Sequence, residues 1–90
     1  MATLYIEAYG AEGGALLYAE AVAIGDVSAQ SAALPGGTVP LVVWLTADIP
    51  CQFAVGGDPE ADAASRYLPA DLPRACHATG GQKIAVIEQQ

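Results

Sequence analysis

The chain has 90 residues, of which ten are acidic and three basic, for a formal net charge of -7. That length makes one small domain with a thin core, roughly 4,900 Å² of folded surface, and an incentive to bury apolar surface in an assembly. The charge balance excludes a protein that works by neutralising nucleic-acid phosphates, since such binding scales with the number of Lys and Arg contacts. Nineteen of the 48 apolar residues are alanine, which leaves 29 larger side chains to pack.

Four glycine pairs, Gly13-Gly14, Gly36-Gly37, Gly56-Gly57 and Gly80-Gly81, cut the chain into short apolar pieces. Glycine takes positive φ without steric cost, so paired glycines read as turns, and frequent turns point to an all-β meander or sandwich. In chain order, Leu4, Ile6 and Ala8 alternate with Tyr5, Glu7 and Tyr9, the period of a half-buried strand. Ala15 to Ala23 is rich in helix formers and has room for about two turns of helix as an alternative to a strand. Val22 to Leu34 reads as a small, polar strand that buries little. Thr38 to Asp48 is the strongest strand, with Val39, Leu41, Val43, Leu45 and Ala47 on one face and Val42, Trp44 and Thr46 on the other. Apolar on both sides, it is expected to be central or covered. Pro40 fits only near its start, because proline cannot donate to a ladder.

Pro50 closes that strand, and Cys51, Phe53 and Val55 begin a partner strand after a tight corner. Asp58 to Arg66 reads as a loop with room for one helical turn, since Asp58-Pro59-Glu60 is a good cap and first turn. Arg74–Thr79 and Lys83–Glu88 read as a last pair joined by Gly80-Gly81. Ile84 and Val86 would face one way, and Ala85 and Ile87 the other. The fold expected is therefore all-β, a single domain over residues 1–90 built as a small antiparallel β-sandwich or barrel with glycine-rich turns. Residues 1–25 read as a strand or arm available for contacts.

Motifs of catalysis are scarce. His77 is the one histidine, and its neighbour Cys76 would point to the opposite face of a strand, so the two do not form a nucleophile–base pair. Cys51 and Cys76 are too few for a disulfide framework and lack the spacing of a zinc knuckle, so they read as small buried hydrophobes. Asp58, Glu60 and Asp62 imitate the start of a calcium loop. The match fails at Ala63 and Pro69, where such a loop needs glycine and glutamate. No phosphate loop, Gly-x-Ser-x-Gly or His-Glu-x-x-His occurs, so no enzyme activity, cofactor or metal is expected. The longest apolar run, Val39 to Leu45, is too short to span a bilayer, and the N-terminus has no basic region with an apolar core behind it. Synthesis in the cytoplasm, with no membrane and no nucleic-acid partner, is the expectation.

From Val27 to the C-terminus the chain resembles the small decoration, or cementing, proteins of tailed-bacteriophage capsids. The resemblance rests on the small-polar stretch Val27–Leu34, and on the covered strand Val42 to Asp48 with Cys51-Gln52-Phe53 after it. Gly57-Asp58-Pro59-Glu60-Ala61-Asp62-Ala63, Leu68-Pro69-Ala70 and Gly81-Gln82-Lys83-Ile84-Ala85-Val86-Ile87 complete the pattern. Pro73-Arg74-Ala75-Cys76-His77 stands where those proteins often carry an aromatic pair.

The resemblance implies a β-sandwich or barrel, as a homotrimer, on the outer face of the virion. There it would clamp neighbouring copies of the major capsid protein against internal pressure. Contact residues expected from aromatic and arginine chemistry are Tyr5, Tyr9, Trp44, Tyr67, Leu68 and Arg74. Either Val27–Ala33 or Thr3–Tyr9 is expected in a subunit contact, and an arginine at Ala29 is expected to weaken assembly without unfolding the subunit. Two other classes remain open: another virion part, such as a head–tail connector or tail subunit, and an acidic inhibitor that mimics DNA.

Overall fold

The computed structural model describes residues 2–10, 14–35 and 40–90. The chain is an antiparallel β-sandwich with no helix among those residues. Its strands are β1 (Thr3–Gly10), β2 (Leu16–Ala23), β3 (Ala29–Gln30), β4 (Pro40–Ala47), β5 (Cys51–Gly56), β6 (Arg66–Leu68), β7 (Arg74–Thr79) and β8 (Lys83–Glu88). Sheet A has the order β2-β1-β4-β7, and sheet B the order β3-β8-β5-β6. Pro40 is the first residue of its strand, where its missing N–H costs least. Thr38 and Val39, the expected start of that strand, lie outside the described residues.

The core lies between the two sheets. Sheet A contributes Leu4, Ile6 and Ala8 from β1, Leu41, Val43, Leu45 and Ala47 from β4, and Cys76 and Ala78 from β7. Sheet B answers with Cys51, Phe53, Leu68, Ile84 and Val86. Alternation alone dictates this, since every second residue of a strand turns to the same face.

One alternative is decided and three expectations change. The stretch Ala15 to Ala23 is strand rather than helix, because β2 finds β1 to pair with along its whole length, from Thr3↔Ala23 to Tyr9↔Leu16. The stretch Val22 to Leu34 is not one strand: Val22 and Ala23 end β2, the chain then crosses to the other sheet, and only Ala29–Gln30 pairs with β8. The partner expected for β4 across the Pro50 corner is not its neighbour in a sheet. That corner leads from sheet A to sheet B, and β5 pairs with β6 and β8.

The Gly80-Gly81 turn, with Gly81 at φ 88°, likewise carries the chain between sheets. Thus β7 pairs with β4 and β8 with β5 and β3. Burial explains the split: Ile84, Ala85, Val86 and Ile87 are all buried, so β8 must be covered on both faces and takes an interior place. Strand β7 buries only Cys76 and Ala78 and can serve as an edge.

The outer face of sheet B is covered by the chain itself. Residues 58–65 form a loop with a turn at Ala63-Ala64, and Ala61 packs on Ala85 and Ile87. Side chains hold the loop down. Gln30 Nε2 donates to Asp58 Oδ1 and to the Pro59 carbonyl, Gln52 Nε2 donates to the Ala63 carbonyl, and Ser28 Oγ accepts the Ala61 N–H. Sheet A receives no such cover among the described residues.

Candidate functional site, the outer face of sheet A

Directly opposed residues of antiparallel strands point to the same face, so the registers define what the outer surface of sheet A presents. Tyr5 lies opposite Ala21 and Thr46, Glu7 opposite Ala19 and Trp44, and Tyr9 opposite Leu16 and Val42. On the far side of β4, Trp44 lies opposite Ala75, and Val42 opposite His77. The surface is therefore a row of alanines on β2, a ridge of Tyr5, Tyr9 and Trp44 across β1 and β4, and His77 near the β7 edge. Among the described residues, Glu7 is the one carboxylate on it, in a chain of net charge -7.

Tyr5 is 53% exposed and Trp44 41%, and Leu16 and Leu17 at the end of β2 are equally open. The total accessible surface, 4762 Å², matches what the scaling law gives for a folded chain of this size. The aromatics are thus exposed by the register of a well-packed sheet, not by loose packing. Two shallow grooves flank the ridge. One of about 510 Å³ runs along Tyr5, Glu7, Ala19, Ala21 and Thr46; another of about 350 Å³ is lined by Tyr9, Gly10, Gly14, Val42 and Trp44.

The seven candidate contact residues do not share one surface. Tyr5, Tyr9 and Trp44 come together on the outer face of sheet A. Tyr67 is exposed on β6 opposite Gln52, whose face carries the loop 58–65, so it belongs to the other side of the sandwich. Leu68 is fully buried in the core, which corrects its expected role: no partner can touch its side chain. Arg74 is exposed at the start of the β7 edge, opposite Leu45.

Ala29 lies opposite Val86 and packs against the core. An arginine there would lay its stem along the edge of the sandwich, so an effect on assembly has to be separated from an effect on edge packing. The alanine row of β2 was missed by sequence reasoning, because alanines carry no contrast between inside and outside.

Elsewhere the chemistry is sparse. Cys51 and Cys76 are free and buried. Burial pushes the Cys51 thiol up to about 11, with the Asp48 carboxylate adding to the effect. Burial also raises Cys76, while Arg66 pulls it the other way. His77 is exposed on the face opposite to Cys76, one residue along the same strand. It lines a cleft of about 300 Å³ with Phe53, Ser65 and Arg66, whose guanidinium lies 5.9 Å from the Phe53 ring centroid. That cleft holds no carboxylate or thiol to work with the imidazole.

Among the described residues, no three His, Cys, Asp or Glu side chains gather around a point that could hold a metal ion. Among the same residues, no helix is long and apolar enough to cross a membrane. The chain matches no protein-family model, no curated protein and no solved structure.

Proposed function

We propose that this chain is a structural virion protein of the decoration type, which lays the outer face of sheet A on the outside of a tailed-phage capsid and bridges neighbouring copies of the major capsid protein. The observation that carries the reading is the asymmetry of the sandwich. Sheet B is roofed by its own loop, whereas sheet A presents an aromatic, nearly uncharged surface. Four strands spaced ~4.8 Å apart and about 27 Å long give that face a plan area of roughly 500 Å², a large part of the ~800 Å² per partner of a standard interface. The resemblance from Val27 onward supplies the partner. The acidity of the rest of the surface suits the outside of a DNA-filled shell, where like charge keeps the protein off the packaged genome.

The inhibitor reading is weaker on the same surface. A mimic of DNA needs carboxylates ranked along one face and free to receive cations. Here Asp48 Oδ1 accepts the Thr3 N–H at 2.8 Å, and Asp58 accepts from Gln30. Asp62 holds the Ala64 and Ser65 turn, and Glu20 accepts from Tyr18 and the Ala32 N–H.

Co-sedimentation with bare capsid shells tests the proposal. Trp44 exposes 41% of its surface. On a side chain of ~240 Å² that is about 100 Å², and burying it is worth roughly 2.5 kcal/mol, near seventyfold in affinity. Trp44→Ser should lower shell binding by about that factor, while the far-UV spectrum stays that of the folded sandwich. Undiminished binding by Trp44→Ser combined with Tyr5→Ser would remove the outer face from the interface.

A further inference from the structure

The β2 edge of sheet A has a second property that does not depend on the capsid reading. We propose that β2 pairs antiparallel with β2 of a second copy, with Ala21 on the twofold axis, so that two sheets A join into one eight-stranded sheet.

The hydrogen-bond phase of β2 fixes which groups are free. The Ile24 N–H donates to the Ala2 carbonyl at 3.0 Å, and Leu4↔Val22, Ile6↔Glu20 and Ala8↔Tyr18 follow it in register. Pairs alternate between bonded and non-bonded along an antiparallel ladder, so Val22, Glu20 and Tyr18 bond to β1. The N–H and C=O groups of Ala19, Ala21 and Ala23 therefore point away from the sheet. Among the described residues, nothing takes them up.

Natural edge strands are normally blunted by brevity, by proline, or by lysines and inward charges. Strand β2 is eight residues long with neither proline nor a basic residue. Its single charge, Glu20, is already engaged by the Tyr18 hydroxyl and the Ala32 N–H. The β7 edge is shorter and begins with Arg74, directly after Pro73.

The occupant follows from self-complementarity. With Ala21 on the axis, Ala21 meets Ala21 and Ala19 meets Ala23, so every free group bonds and only methyl groups face one another on the outer surface. On the inner side Glu20 meets Val22, which keeps the two carboxylates out of register. An axis through Glu20 would set them directly opposite each other, and like charges so placed are destabilising. Two bodies of net charge -7 repel at long range through solvent, while the seam itself carries only the two Glu20 carboxylates, out of register with each other. Association should therefore strengthen with salt, the reverse of what a basic partner would show.

Sedimentation equilibrium and oxidative cross-linking of the full chain test this. In an edge strand, a proline whose N–H would face solvent leaves the fold intact. Ala21→Pro should thus keep the wild-type far-UV spectrum and raise the dimer dissociation constant more than about tenfold. Ala21→Cys should form a covalent dimer on mild oxidation, because bonded antiparallel pairs bring Cα atoms to ~5.5 Å, within disulfide reach. Ala19→Cys should not cross-link to itself. Should Ala21→Pro unfold, Ala21→Lys and Ala21→Glu replace it: each alone is monomeric, and mixing the two restores the dimer.

A wild-type chain that is monomeric at high concentration and high salt overturns the proposal. So does a dimer indifferent to both the proline and the charge pair. Ready cross-linking of Ala19→Cys with none at Ala21→Cys overturns the register. Each of these failures is distinct from failure of shell binding, which is read in a separate assay.

Discussion

Ser31 carries a buried hydrogen-bond arrangement that a single substitution should expose. It stands just after β3, where the next pair of the β3–β8 ladder would be Ser31 and Ile84. The Ser31 N–H donates to the Ile84 carbonyl at 2.8 Å. The return bond is made by the side chain: the Ile84 N–H donates to Ser31 Oγ at 2.9 Å, and the hydroxyl donates in turn to the Ala32 carbonyl at 2.9 Å. Ser31 is 4% exposed and Ile84 0%, so water cannot replace the hydroxyl without opening the edge.

Ser31→Ala leaves the Ile84 N–H unpaired inside the sandwich. A buried donor without a partner costs about 1–3 kcal/mol. A domain of this size holds only ~5–13 kcal/mol in total. With a shift of ~4–8 °C per kcal/mol, a loss near 2 kcal/mol lowers Tm by roughly 8–16 °C. Urea unfolding followed by the single tryptophan should show a lower midpoint at unchanged slope. Native-state hydrogen exchange should show the Ile84 amide losing protection. Ser31→Thr, which keeps the hydroxyl, should recover most of the loss. Stability within about 0.5 kcal/mol of wild type for Ser31→Ala, with Ile84 still protected, would refute the assignment of that hydroxyl to the ladder.

Two further outcomes follow from the titrating groups. The hydrogen bond to Glu20, with burial and the Glu20 charge behind it, pushes the Tyr18 phenol up to about 12. A folded-state value above the unfolded one of ~10 means that the contribution is fully present below pH ~10 and is lost as pH rises through the folded value. Chemical denaturation between pH 10 and 12 should show stability falling, with a shallower fall in Tyr18→Phe; parallel slopes would contradict it. For the thiols, burial and a raised Cys51 predict that neither Cys51 nor Cys76 reacts with a disulfide reagent at pH 8 faster than the protein opens. Rapid labelling of the native chain would place one of them outside the core.

The interior was legible where polarity alternates. Leu4, Ile6 and Ala8 declared a buried face because Tyr5, Glu7 and Tyr9 are polar or aromatic, whereas Leu41 to Leu45, apolar on both sides, declared only a central place. What alternation could not show is which strands are neighbours. The Pro50 corner and the Gly80-Gly81 turn both look like hairpins, since a turn between two apolar runs has the same local chemistry whether it stays in one sheet or crosses to the other. The deciding quantity is burial on both faces, and Ile84 to Ile87 carries that signal without naming the strands that will cover it.

Alanine blurred β2 for a related reason. Its helix propensity is high, and in Ala19, Ala21 and Ala23 it occupies a face without marking it. Ser31 was read as part of a long polar strand, when its hydroxyl replaces a backbone acceptor where the pairing stops. Tyr5, Tyr9 and Trp44 were selected by residue type, and their meeting on one surface depends on the β1–β4 register. Leu68 failed by the same logic, because the parity of a three-residue strand is set only by the strand it joins.

The central claim is that the uncovered face of sheet A serves a capsid. Counting this polypeptide against the major capsid protein in purified virus particles tests it most directly. Decoration of the whole shell requires a copy number close to that of the shell protein, released when the outer surface is stripped. Absence of the polypeptide from the particles, or a dozen copies or fewer, would contradict the account.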